Sequence, residues 1–72
     1  MLTLYGTSAC HLCELAESLL QDHGAAYAVV DISESDALFE RYGLTIPVLR
    51  RADGRELNWP FDQAQLAAFL DR

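Results

Sequence analysis

Leu2-Thr3-Leu4-Tyr5-Gly6-Thr7-Ser8-Ala9-Cys10-His11-Leu12-Cys13 is the stretch from which the rest of the chain can be read. Residues 2–5 alternate large apolar and smaller side chains, the period of a strand, and Gly6-Thr7-Ser8 breaks that run into a loop. From Cys10 onward, Leu12, Leu15, Ala16, Leu19 and Leu20 recur at helical spacing. His11, Glu14, Glu17, Ser18, Gln21 and Asp22 fill the opposite face, and Gly24 follows as a C-terminal stop. Both cysteines of the chain therefore stand where a strand hands over to a helix.

Working outward, residues 26–32 carry Tyr27, Val29, Val30 and Ile32, a nearly continuous apolar run that suits a strand buried on both faces. Ser33 or Ser35 can cap a short second helix that carries Leu38, Phe39 and Tyr42 and ends at Gly43. Ile46-Pro47-Val48-Leu49-Arg50 reads as a third strand, with Pro47 at its start or at an edge because proline has no N–H to donate. Asp53-Gly54 signals a hairpin turn into a fourth strand through Leu57. Asp62 and Gln65 form a capping box ahead of a last helix with Leu66, Phe69 and Leu70 on its apolar stripe. The order β-α-β-α-β-β-α requires a right-handed crossover for its parallel pair and an antiparallel hairpin beyond it. An α/β domain follows, a four-stranded mixed sheet with helices on both faces, and its layout is similar to the thioredoxin fold. Residues 1–72 make a single domain without repeats or linkers.

Eleven acidic residues face five arginines and no lysine, for a net charge of −6. Such a surface repels phosphate backbones and anionic lipid, which argues against nucleic-acid and membrane-surface partners. The run after Met1 has neither a basic leader nor the length of a membrane span, so a cytoplasmic monomer with normally reduced thiols is expected. Two cysteines three positions apart staple almost nothing, so the apolar core must hold the fold.

Thiol–disulfide exchange needs a thiolate, and a helix start favours one through its unpaired N–H groups and dipole. Position divides the labour: Cys10 is the exposed attacking thiol, and Cys13, one turn on, resolves the mixed disulfide. His11 would favour the thiolate if protonated, whereas Glu14 and Glu17 oppose it at screened range. The expected thiol is moderately acidic and better suited to reduction than to oxidation. Two plainer readings compete: a Cys-x-x-Cys in a buried helix without redox work, and half a zinc site completed by His11 or His23, whose tetrahedral closure within one chain is strained.

With those residues placed, the chain resembles the glutaredoxin-like branch of the thioredoxin superfamily, especially the short bacterial glutaredoxin-like proteins. The likeness is carried by residues 4–13, by Thr45-Ile46-Pro47 and by Asn58-Trp59-Pro60-Phe61-Asp62. It implies a cis proline at Pro47 facing the cysteines, and an Ile46 backbone that pairs with an extended substrate. It further implies Arg41 as a basic contact for a glutathione carboxylate and Asp62 with its helix start near the γ-glutamyl end. His11 and Leu12, between the cysteines, join the substrate-contacting set. The familiar Cys-Pro-Tyr-Cys is replaced by Cys10-His11-Leu12-Cys13. The lysine ahead of the first cysteine is missing, and Asn58-Trp59-Pro60 stands where a Gly-Gly pair lets glutathione lie close.

The resulting expectation is a dithiol oxidoreductase that reduces protein or glutathione-mixed disulfides. It has no tightly bound cofactor, uses glutathione as a candidate co-substrate, and is recharged by a thiol reductant. A non-catalytic binding module that offers the groove around Pro47, Trp59 and Phe61 is the alternative. A metal or iron–sulfur carrier that bridges two chains through Cys10 is a third.

Overall fold

A computed structural model describes residues 2–71. Met1 and Arg72, the ends of the domain read as 1–72, lie outside the described residues. Strand β1 (Leu2–Gly6) is central; it pairs in parallel with β2 (Tyr27–Asp31) and antiparallel with β3 (Val48–Arg50), which pairs antiparallel with β4 (Glu56–Asn58). The sheet order is β2-β1-β3-β4. Gly6 belongs to β1 and not to the loop that the sequence suggested.

Helix α1 (His11–His23) forms where the apolar stripe sets it and buries Cys13, Ala16 and Leu20. Its end is closed by Gly24, at φ 77°, whose N–H donates to the Gln21 carbonyl while the Ala25 N–H donates to that of Leu20. This left-handed closure suits a residue without Cβ. A 3-10 turn (Ile32–Glu34) follows β2, and Ser33 serves inside it by donating to Asp31. Ser35, not Ser33, caps α2 (Asp36–Tyr42), its hydroxyl accepting the Leu38 N–H at 3.3 Å. The capping box of Asp62 and Gln65 opens α3 (Gln63–Leu70) as expected.

Alternation along β1 separates two cores. Leu2 and Leu4, with Leu49, pack against Ala16, Leu20, Phe61 and Leu66 on the side of α1 and α3. Tyr5 and Val48 face the other way, toward Ile32, Tyr42, Leu38 and Ile46. Each wholly buried leucine contributes about 1.5–3 kcal/mol, which weighs heavily in a domain of this length.

Two expectations need correction. The third strand is shorter than residues 46–50: it runs Val48–Arg50, and Ile46 and Pro47, joined by a cis peptide bond, precede it; proline has no N–H to give the ladder. The run 26–32 is not buried on both faces. It lies at the sheet edge, and Ile32, the one wholly buried member, has left the strand for the 3-10 turn. Parallel pairing of Val29 with Leu4 turns Val29 toward the α1 side, but the helix leaves it 53% exposed.

Arg51 ties the β3–β4 hairpin to the end of α3. Its guanidinium donates to the Phe69 carbonyl at 2.7 Å, lies over the Phe69 ring and pairs with Asp53. Hydrogen bonding from Arg51, then from the Arg55 amide, holds the Asp53 carboxyl down at about 2. A carboxyl whose folded pKa is depressed contributes stability that is present above its ordinary value and lost as pH falls through the folded one. Asp53→Asn should therefore lower the melting temperature at neutral pH, and the gap from the parent should close between about pH 4 and about pH 2. Thermal melts of both proteins across that range check it; a gap independent of pH would contradict it.

Candidate functional site

Cys10 and Cys13 form a disulfide with Cα atoms 5.2 Å apart. Cys10 sits in extended backbone as the N-cap of α1, and the Cys13 N–H donates to its sulfur at 3.1 Å. A sulfur is thus placed where Ser or Asp oxygens ordinarily satisfy the first unpaired N–H groups. An N–H so placed at a helix start is a group that favours a thiolate over a thiol. Cys13 is 5% exposed, whereas Cys10 is half-buried at the surface.

Cys13 is held against the end of β1. A Cβ on Gly6 would lie 2.7 Å from the Cys13 sulfur, closer than real contacts allow, so the sulfur occupies the space that any side chain there would need. The β1–β3 register continues the placement. Tyr5 pairs with Val48, the first residue of β3, and Pro47 immediately precedes that paired strand. Pro47 is fully buried, and its carbonyl accepts the Trp59 N–H at 3.2 Å.

The other sequence-derived residues divide. His11 and Leu12 are exposed on the first turn of α1 beside the cysteines. Ile46, expected to pair with a substrate strand, already donates its N–H to the Tyr42 carbonyl at 3.1 Å. Arg41 stands 3.4 Å from Glu56 of β4 and over the Tyr42 ring. The Asp62 carboxylate accepts the Gln65 N–H at 2.8 Å as a helix cap. Trp59 and Phe61 meet edge to face at 5.1 Å, with Phe61 buried in the core. Among the described residues, no three His, Cys, Asp or Glu side chains gather where they could hold a metal ion.

A cleft of about 200 Å³ opens beside the disulfide on the β2 side. Gly6, Thr7, Ser8, Cys10 and Cys13 line it at one end, with Glu14 and Glu17 from α1 and Val29 and Asp31 from β2. It does not include Arg41, Ile46, Pro47 or Asp62. Tyr27 donates its hydroxyl to Glu17 at 3.0 Å, and burial pushes its own pKa up. The Ser33 hydroxyl and amide, donating at 2.7 and 2.9 Å, lower the pKa of Asp31. Sequence reasoning missed Gly6, Val29 and Asp31. A glycine closing an apolar strand does signal close approach by another group, but the cleft arises from how α1 crosses β2, which no local pattern encodes.

Fold and site together define a thioredoxin-fold protein with a Cys-x-x-Cys disulfide at the start of its first helix. The chain belongs to the glutaredoxin-like domain family (DUF836), whose family model matches residues 1–71. It is similar to the crystal structure of XcR50 from X. campestris, with 49% identity, TM-score 0.92, and coverage of 99% of this chain and 96% of that one. Protein Ne2328 from Nitrosomonas europaea matches at 27% identity and TM-score 0.80, over 94% of this chain and 87% of that one. A glutaredoxin from Archaeoglobus fulgidus, at 17% identity and TM-score 0.73 over 99% and 86% of the two chains, shares the fold. Among curated proteins none matches.

Proposed function

We propose that this protein is a dithiol–disulfide oxidoreductase that reduces protein or glutathione-mixed disulfides. The observation that carries the reading is the unequal setting of the two sulfurs, one capping a helix at the surface and the other packed against Gly6.

In the first step the Cys10 thiolate attacks one sulfur of the substrate disulfide. A Cys10–substrate disulfide forms, the substrate S–S bond breaks, and the second substrate sulfur leaves as a thiolate that takes up a proton from water. Cys13 then gives up its proton and attacks the Cys10 sulfur. This forms the Cys10–Cys13 disulfide and releases the other half of the substrate as a thiol. The substrate gains two electrons and the protein loses two; a thiol reductant restores the dithiol by the same exchange in reverse. The Cys13 amide, 3.1 Å from the Cys10 sulfur in the disulfide, stands where it would also favour a Cys10 thiolate.

The electron donor distinguishes glutaredoxin-like from thioredoxin-like service. Disulfide reduction should be followed with glutathione plus glutathione reductase, and in parallel with a thioredoxin-reductase system. Turnover with either system is the expected result, and the system that works names the donor class. No turnover with both, and none with a small dithiol reductant, would contradict the reading and favour the binding module.

A further inference from the structure

The cleft beside the disulfide has a chemical character that the exchange steps do not use. Its lining carries Glu14, Glu17 and Asp31 together with the half-exposed Val29. The described arginines all sit elsewhere. Arg41 lies against Glu56, Arg50 is in β3 beside Tyr42, and Arg51 and Arg55 surround Asp53 in the β3–β4 turn. Since the sheet order is β2-β1-β3-β4, acids line the β2 edge at the disulfide and arginines occupy the far half. The cleft is thus lined by three acids and no arginine.

We infer that the disulfide this site reduces lies next to a lysine or arginine side chain, whose aliphatic stem covers Val29 and whose cationic head reaches Glu14, Glu17 and Asp31. The inference rests on the oxidoreductase reading and narrows its substrate to a basic peptide or protein segment. An apolar residue among acids matches a side chain with an apolar stem and a charged tip. Low-dielectric walls focus the field of one sign of charge, which raises the local concentration of the opposite sign. Tyr27 and Ser33 keep two of the carboxylates in place while leaving each a second oxygen. Glutathione disulfide, with more carboxylates than ammonium groups, meets the wrong sign here.

The test uses the full-length, pre-reduced protein and three disulfides: a cystine-linked peptide with arginine beside the cysteine, the same peptide with glutamate, and glutathione disulfide. Second-order rates are measured in dilute buffer and again at high salt. The arginine peptide should react about tenfold faster than either anionic disulfide at low salt, and screening should shrink that advantage. Glu14→Gln with Glu17→Gln, and separately Asp31→Asn, should each narrow the ratio of arginine to glutamate peptide. Equal rates, a preference for an anionic disulfide, or an unchanged ratio in both variants would overturn the inference while leaving the oxidoreductase reading in place. Failure to reduce any of the three would overturn both.

Discussion

Cys13→Ser protein, pre-reduced and mixed with a disulfide substrate, is expected to accumulate a stable mixed disulfide through Cys10. Cys10→Ser protein under the same conditions should form almost none and should lose turnover to background. The asymmetry follows from geometry. Cys10 caps α1 with its sulfur at the surface and within 3.1 Å of the Cys13 N–H, whereas Cys13 is 5% exposed and packed on Gly6. A thiolate at a helix start is both stabilised and accessible, while a buried thiol is neither. Mass spectrometry of acid-quenched mixtures gives the adduct and its position. Comparable adduct formation by the two variants would contradict the assignment, as would adducts confined to Cys13.

The second large effect is expected at a residue without a side chain. Gly6→Ala puts a methyl 2.7 Å from the Cys13 sulfur and 3.2 Å from its Cβ. Neither side yields easily, because Gly6 is in the central strand, paired to β2, and Cys13 is in the buried face of α1. Overpacking of this kind typically destabilises by about 1–3 kcal/mol. Displacing the Cys13 sulfur should also slow the resolving step about tenfold or more, while the first attack by Cys10 changes less. Gly24→Ala is the matched control. It meets nothing within 4 Å and is strained only by its φ of 77°, so it should lose about 1–2 kcal/mol with resolution unchanged. Urea melts and rapid-quench trapping separate the two effects. Parental stability and resolution rate in Gly6→Ala would show that Cys13 is not held there.

Local patterns made most of the fold legible. The helix signalled by the spacing from Leu12 to Leu20, the Gly24 stop, the Asp53-Gly54 turn and the capping box of Asp62 and Gln65 each depend on neighbours within a turn or two, and the structure has all of them, although Leu12 and Leu15 are exposed and Cys13 joins Ala16 and Leu20 in the buried face. The two cysteines were legible for the same reason, since a strand–loop–helix junction is a local feature. Burial of β2 was not. A continuous apolar run suits a central parallel strand and an edge strand equally, and position in the sheet is settled by which strands pair with β1. The misjudged strand is also one that lines the cleft, so Val29 and Asp31 escaped notice together. Ile46 is named from resemblance, and its N–H donates to the Tyr42 carbonyl four residues back. Arg41, named from resemblance, stands by Glu56 and does not line the cleft.

These placements separate the chemistry of the site from its specificity. The disulfide, its capped helix and the glycine beneath Cys13 lie at the β1–α1 junction of this fold. The acids around the cleft are particular side chains on that frame, and they govern which disulfide approaches rather than how it is exchanged.

The most direct test of the central claim is the pH dependence of alkylation of the two thiols in the reduced wild-type protein, read residue by residue with limiting reagent. Cys10 should be modified first at every pH, with a midpoint below that of an ordinary free thiol, and Cys13 should follow only slowly. Equal modification of the two, or prior modification of Cys13, would contradict it.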